Sequence, residues 1–245
     1  MNNIEFIENN DFTYLGNLES PYHLEGEVIP RVTLILSSML HEDYISQWAN
    51  SLGYKHKSYK VTLQDAADRG TLIHDSIHRY LVEGITPDLY MSTIPDEYVE
   101  STLTGFKSFR LWFDNLINPS IIYTEKELVC PYFAGTADLV LRYNNKNYLL
   151  DFKTGKHLSF KYFLQLAAYR YILQNYYNIS IDAVGIIQLD KSFISYKDTI
   201  LELNTENNIN YINQCTETFF SLVNAYRNRL NNEYLYKDIF KGGNK

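Results

Sequence analysis

Cysteine is nearly absent. Only Cys130 and Cys215 occur, far apart in the chain. Two thiols alone cannot build a four-thiolate zinc or iron–sulfur site, and they argue for a reduced, intracellular setting rather than a disulfide scaffold. Long apolar runs are missing too: nothing approaches the ~20 residues that a membrane-spanning helix needs. Met1 to Asn10 is polar and acidic, with no basic start and no apolar stretch, so no secretory signal is expected. No internal repeat and no Gly/Pro-rich linker divides the 245 residues, and one unit over 1–245 is the expected organisation. Positive charge is also in short supply. Lys and Arg number 22 against 29 Asp and Glu, a formal net charge of −7. That does not point to a protein that coats DNA by bulk attraction. It permits one whose positive charge is local, or supplied in part by bound metal ions. The 22 tyrosines and frequent asparagines fit an AT-rich coding sequence, so single tyrosines carry little weight as base-stacking platforms.

Residues 1–30 read as irregular. Pro30-Arg31-Val32-Thr33-Leu34-Ile35-Leu36 follows, apolar and β-branched at first. Three helices are then expected. Asp43 to Leu52 repeats Tyr44, Ile45, Trp48 and Leu52 at helical spacing, with Gly53 as its stop. Leu63 to Val82 lines up Ala66, Ala67, Gly70, Ile73, His74, Ile77 and Leu81, and Gly84 and Pro87 end it. Glu97 to Leu116 runs to Asn118-Pro119. The texture then changes to strands at Ile121–Val129, Gly135–Tyr143 and Asn147–Lys153, the last two joined by a turn at Asn144-Asn145-Lys146. A helix at Phe160–Asn175, strands at Asp182–Leu189 and Phe193–Leu203 and a helix at Glu206–Leu230 complete the order. The last helix should turn Ile209, Ile212, Phe219, Phe220, Val223 and Tyr226 inward, and the tail from Lys241 to Lys245 should be disordered. The expected fold class is α/β. Residues 1–120 form a mainly helical N-terminal portion, 121–205 a mixed central sheet with one helix, and 206–240 a C-terminal helix.

The chemistry concentrates between Gly135 and Tyr169. Asp138 falls in one strand of the hairpin and Asp151 near the end of the other, with Lys153 two residues on. Alternation puts Asp151 and Lys153 on one face. Their neighbours Leu149, Leu150 and Phe152 are apolar. Two carboxylates and an ammonium in such surroundings are costly to bury unless something pairs them, and a divalent cation would do so. Phosphodiester hydrolysis calls for this set. Carboxylates hold Mg²⁺ or Mn²⁺, the metal activates water and polarises the phosphate, and a lysine orients the water or stabilises developing charge. A salt bridge near a sheet edge, with Asp138 in a turn, fits the same three residues. His74 on an apolar helix stripe fits a satisfied core histidine as well as a ligand, and His78, one turn later, reads as structural.

The segment reads G-T-A-D, then L-L-D-F-K-T-G, then Q-L-A-A-Y. It resembles the RecB-like branch of the PD-(D/E)XK nuclease superfamily, in which G-x-x-D, D-x-K and Q-x-x-x-Y follow one another on two strands and a helix. The matching positions here are Gly135 and Asp138, Asp151 and Lys153, Gln165 and Tyr169. Ala137 stands where the family often has proline. Arg69-Gly70-Thr71-Leu72-Ile73-His74 resembles the branch's G-T-x-x-H helix. Pro30 to Leu36 followed by Trp48 is similar to the "P-x-V-T-x-I-L … W" entry of mitochondrial genome maintenance exonucleases and related phage exonucleases. The resemblance covers about residues 29–175.

The resemblance implies a restriction-endonuclease-like core and a metal-dependent deoxyribonuclease acting on DNA ends, with a preference for single strands. It implies Mg²⁺ or Mn²⁺ held by His74, Asp138, Asp151 and the backbone carbonyl of Phe152. Lys153 would be the catalytic lysine, and Gln165 and Tyr169, one turn apart on a shared face, would touch the phosphate or brace the lysine. Glu127 is a further acidic candidate, or a solvated strand residue. Thr136, Thr154, Lys156, His157, Lys161 and Arg170 are candidates for phosphate contacts. Trp48 and Tyr44 are candidates for base stacking or core packing. A structure-dependent endonuclease and a catalytically silent nucleic-acid-binding or scaffold protein remain the alternatives. Replication and recombination use this core, and a phage-encoded copy would work in the cytoplasm of a bacterial host. Polarity of digestion and oligomeric state have no signal in the sequence.

Overall fold

Asn144 and Asn145 both adopt left-handed backbone, φ +50° and +61°. Two such residues make the tight turn whose twist matches that of its flanking strands. They join β4 (Ala134–Tyr143) to β5 (Lys146–Lys153) and so set the register of that pair. Around this hairpin, a computed structural model describes residues 20–41, 43–56, 58–155 and 157–241. Lys156, the first 19 residues, the Tyr44 side chain and residues 242–245 lie outside the described residues.

Five strands form one sheet in the order β3-β4-β5-β6-β7, with β3 at Ser120–Val129, β6 at Ala183–Leu189 and β7 at Tyr196–Glu202. All neighbours are antiparallel except β5 and β6. A parallel pair needs a crossover, supplied by α5 (Phe160–Tyr176). The chain is therefore α/β, with a mixed sheet flanked by helices.

Each face of the sheet has its own core. One face buries Val140, Leu149, Val184 and Ile186 against α1 (Val32–Met39), α5 and α6 (Glu206–Lys241). The other buries Leu139, Leu141, Leu150 and Phe152 against α3 (Tyr59–Glu83) and α4 (Asp96–Phe113). Strands covered on both faces read as continuous apolar runs, which is why β4 to β6 show little polar alternation. Helix α5 is apolar nearly all round because it lies between the sheet and α6.

The elements depart from the sequence expectation at their ends. Gly53 does not stop α2 (Asp43–Tyr54), which runs one residue past it. Gly84 does end α3, at φ +70° with its N–H on the Tyr80 carbonyl, while Ser58 caps the start by accepting from Val61 N–H. Val32, Ile35 and Leu36 bury one face of helix α1, despite the β-branched start of that stretch. Ile209 faces solvent, whereas Ile212, Phe219, Phe220, Val223 and Tyr226 are buried. Residues read as irregular contain a small hairpin, β1 (His23–Leu24) and β2 (Glu27–Val28), turning at Glu25 and Gly26 with φ +51° and +89°. Two-residue strands are too short to leave an alternation signal. No helix among the described residues is long and apolar enough to cross a membrane.

Candidate metal and phosphate site

Strands β4 and β5 pair from Tyr143↔Lys146 to Leu139↔Leu150 and then part. Strand β4 stays with β3, and β5 stays with β6 as far as Lys153↔Gln188. Continuing the β4–β5 register would set Asp138 opposite Asp151. At that step the Phe152 N–H donates to Asp138 Oδ2 at 2.7 Å, so a side-chain carboxylate takes the place of a ladder carbonyl. The parting strands open a polar space between the two cores, and both aspartates are buried in it, 8% and 2% exposed.

Alternation on β5 sends Leu150 and Phe152 to the α3/α4 core and Asp151 and Lys153 to the α5 side. Lys153 Nζ lies 2.7 Å from Asp151 Oδ2. The ammonium is the charged partner of this buried oxygen. Asp151 Oδ1 accepts from Gln165 Nε2 at 3.0 Å, and the same amide donates to the Tyr169 hydroxyl at 3.4 Å. The i, i+4 spacing of Gln165 and Tyr169 thus places both against Asp151. Tyr162, which no motif marks, holds its ring 4.9 Å from the Lys153 ammonium. The glycine of G-T-A-D has a steric reason: a Cβ on Gly135 would sit 2.5 Å from the Tyr169 ring.

His74 enters from α3. Its Nε2 is 3.2 Å from the Phe152 carbonyl oxygen. Its Nδ1 is 3.4 Å from Glu125 Oε1 and 3.6 Å from Asp138 Oδ2. Both ring nitrogens therefore face oxygens, an arrangement that suits an imidazolium. Ligand atoms of His74, Glu125 and Asp138 all lie within 4.8 Å of one another. Ligands ~2.1 Å from one ion are at most ~4.2 Å apart, so a small tightening would close this set around a divalent cation.

The acidic residue on β3 is therefore Glu125 and not Glu127. Glu127 is exposed, and its main-chain carbonyl accepts from the Tyr177 hydroxyl at 3.2 Å. Strand period cannot separate the two, since both occupy the same face in a regular strand. Register does: Thr124↔Leu139 and Lys126↔Ala137 leave Glu125 opposite Asp138, while Glu127 pairs with Thr136. The strand is irregular between Ile121 and Tyr123, and Glu125 itself has φ +46°. A non-glycine residue in that region costs about 1–2 kcal/mol, held here by the surrounding sheet.

The electrostatics follow from burial and crowding. Burial opposes the charge on His74, but Asp138 and Glu125 outweigh it and raise the pKa to about 9. Desolvation pushes Asp151 up to about 6, against the pull of Lys153, and raises Asp138 as well, against His74 and Lys153. Burial works against the Lys153 ammonium, yet Asp151 and Asp138 hold its pKa above the ordinary lysine value. Burial and the charges of Asp151 and Asp138 keep the Tyr169 phenol protonated well past its usual range. His74, Glu125 and Asp138 could hold a divalent cation. The carboxylates are costly without one, and the charge on His74 occupies the space a cation would fill.

The remaining candidates are scattered. Thr154 lies against α3, its Oγ1 3.7 Å from where a Gly70 Cβ would sit. The main-chain N–H of Lys161 donates to Ser159 Oγ at the start of α5. Arg170 turns to α6, with Nη1 3.4 Å from Asn213 Oδ1. Trp48 packs edge-on to Tyr59 at 5.5 Å, and His78 Nδ1 meets Thr124 Oγ1 at 3.3 Å.

No family model matches the chain, and no curated protein matches it. Among solved structures, one described as the crystal structure of SSO0001 aligns over 63% of this chain and 74% of its own, at 13% identity and a TM-score of 0.27. A likeness that loose carries no argument about fold or activity.

Proposed function

We propose that the chain is a metal-dependent nuclease of the PD-(D/E)XK type, on a restriction-endonuclease-like core of the RecB-like branch. It hydrolyses phosphodiester bonds in DNA and acts on single-stranded ends. The observation that carries this reading is the parting of β4 and β5. Around that opening Asp138 and Asp151 are both buried, Lys153 Nζ lies 2.7 Å from Asp151, and His74 and Glu125 gather at Asp138. A plain salt bridge accounts for Asp151 and Lys153, but not for a second buried carboxylate and a histidine with oxygens at both nitrogens.

Asp138, Glu125 and His74 would hold Mg²⁺ or Mn²⁺, with Asp151 and the Phe152 carbonyl as further candidate ligands. When bound, the ion supplies Lewis-acid polarisation of the phosphate and a water of lowered pKa. Lys153 stays charged and sits where it can orient that water or meet charge developing on the phosphoryl oxygens. Gln165 fixes Asp151 and so fixes Lys153. Tyr169 remains a neutral phenol through the physiological range and offers a hydrogen-bond donor.

The test is degradation of an end-labelled linear single strand with Mg²⁺, Mn²⁺ or EDTA, beside Lys153→Ala, Asp151→Ala and a circular single strand. Metal-dependent loss of label from the linear strand, absent in both variants, with the circle left intact, is the expected result. Cleavage retained by purified Lys153→Ala or Asp151→Ala would remove the site assignment. Cutting of the circle would make the enzyme an endonuclease on the same residues.

A further inference from the structure

The β1–β2 hairpin delivers a side chain to this site that no motif announces. Ile29 N–H donates to the Tyr22 carbonyl at 2.9 Å, and Ser20 Oγ bonds both the Ile29 carbonyl and the Tyr22 N–H. The chain leaving the hairpin is tied to β4: Ala134 N–H donates to the Pro30 carbonyl, and Arg31 bridges to Ala134. From this anchor the Tyr22 hydroxyl reaches Thr136 Oγ1 at 2.7 Å.

Thr136 lies two residues before Asp138 on β4, so it shares the face of Asp138 at a strand distance of ~7 Å. Two hydroxyls carry two hydrogens, and their mutual bond uses one. The other has no acceptor among the described residues. The Tyr22 ring is buried with Ile29 and Ala134 and cannot stack on a base, so only its hydroxyl end is presented. Thr136 keeps partial exposure. A neutral donor beside buried carboxylates suits a group that must be held without reacting.

We propose that the Tyr22–Thr136 hydroxyl pair is a phosphate-binding subsite. It holds the phosphodiester next to the one that is cut, so that the chain's N-terminal hairpin completes the substrate groove. This subsite rests on the nuclease reading.

Tyr22→Phe removes the hydroxyl and keeps the ring, Thr136→Val keeps the shape, and Thr136→Ser keeps a hydroxyl. Two quantities separate the readings: steady-state cleavage of a single-stranded oligonucleotide with Mg²⁺, and its Kd for each variant in a Lys153→Ala background. Loss of a hydrogen bond to a charged phosphate predicts KM and Kd raised about tenfold in Tyr22→Phe and Thr136→Val. The value of kcat should stay within about twofold, and Thr136→Ser should behave like the wild type. A strand with one methylphosphonate at the neighbouring linkage should lose the same affinity with wild type and lose nothing further with Tyr22→Phe. Unchanged KM and Kd in both Tyr22→Phe and Thr136→Val would overturn the subsite, as would equal weakening by Tyr22→Phe on the methylphosphonate strand. A lower Tm and a reduced kcat with unchanged KM would make the pair a structural tie and overturn it too. Tight, Tyr22-dependent binding with no cleavage under any metal would leave the subsite standing and remove the nuclease reading. Neither binding nor cleavage by the wild type would remove both.

Discussion

Glu125 and Glu127 differ by two positions and by everything that matters chemically. One faces His74 Nδ1 at 3.4 Å and the other faces water. Replacing Glu125 by Gln removes half a charge pair and a ligand oxygen while keeping the shape. The expected outcome is a 10- to 100-fold weaker Mn²⁺ affinity, of the order seen when metal-site groups are lost, with Glu127→Gln within about twofold of wild type. Calorimetric titration with Mn²⁺ checks both, and equal effects would return the two glutamates to the same footing. The aspartates, the lysine, the glutamine and the tyrosine were picked out by their motif resemblance, and strand alternation and the i, i+4 rule added only that Asp151 and Lys153, and Gln165 and Tyr169, share faces. Glu125 was not, because an irregular strand and one left-handed residue decide which acid reaches the site, and neither leaves a compositional trace. Tyr22 was hidden for a similar reason, since a contact between residues 114 apart has no local pattern.

Among elements, the long helices and the five strands of the sheet were readable from period and from their Gly, Pro and Asn boundaries. The β1–β2 hairpin, the continuation of α2 through Gly53 and the length of α6 were not, because tertiary packing overrides weak local signals there. The motif glycines illustrate how differently two similar signals act. Gly135 is required by α5: a Cβ would meet the Tyr169 ring at 2.5 Å. Gly135→Ala should cost about 1–3 kcal/mol through forced displacement, and should lower activity by moving Tyr169 off Gln165. Gly70 lies inside α3, and its added Cβ would meet only Thr154 at an ordinary 3.7 Å. Gly70→Ala should therefore raise stability by about 0.5–1 kcal/mol, the usual helix-interior gain. Urea denaturation of the two variants reads out both signs. A destabilised Gly70→Ala protein would mean that α3 is more tightly packed at this turn than its contacts indicate.

For the whole molecule, the controlling fact is a net charge of −7 with a further knot of acid at the site. The raised pKa values of Asp151 and His74 make the metal-free fold lose stability as pH rises. Asp151, raised to about 6, favours the folded state while protonated, and that contribution fades between the ordinary carboxylate range and pH 6. His74, raised to about 9, contributes fully below its ordinary value of 6.5, and its contribution is lost as pH climbs through 9. A divalent cation competes with these same protons, so its affinity should increase over the same span. At 100 times its Kd an ion adds ~2.7 kcal/mol to stability. At a fixed Mn²⁺ concentration the rise in Tm over an EDTA control should therefore be small at pH 5.5 and large at pH 8.5, and His74→Asn should flatten the upper part of that dependence. Thermal melts at the two pH values, with and without Mn²⁺, measure it directly. A metal-induced shift of equal size at both would mean that the ion does not meet His74 and Asp151, and the cation would have to be held elsewhere on the acidic surface.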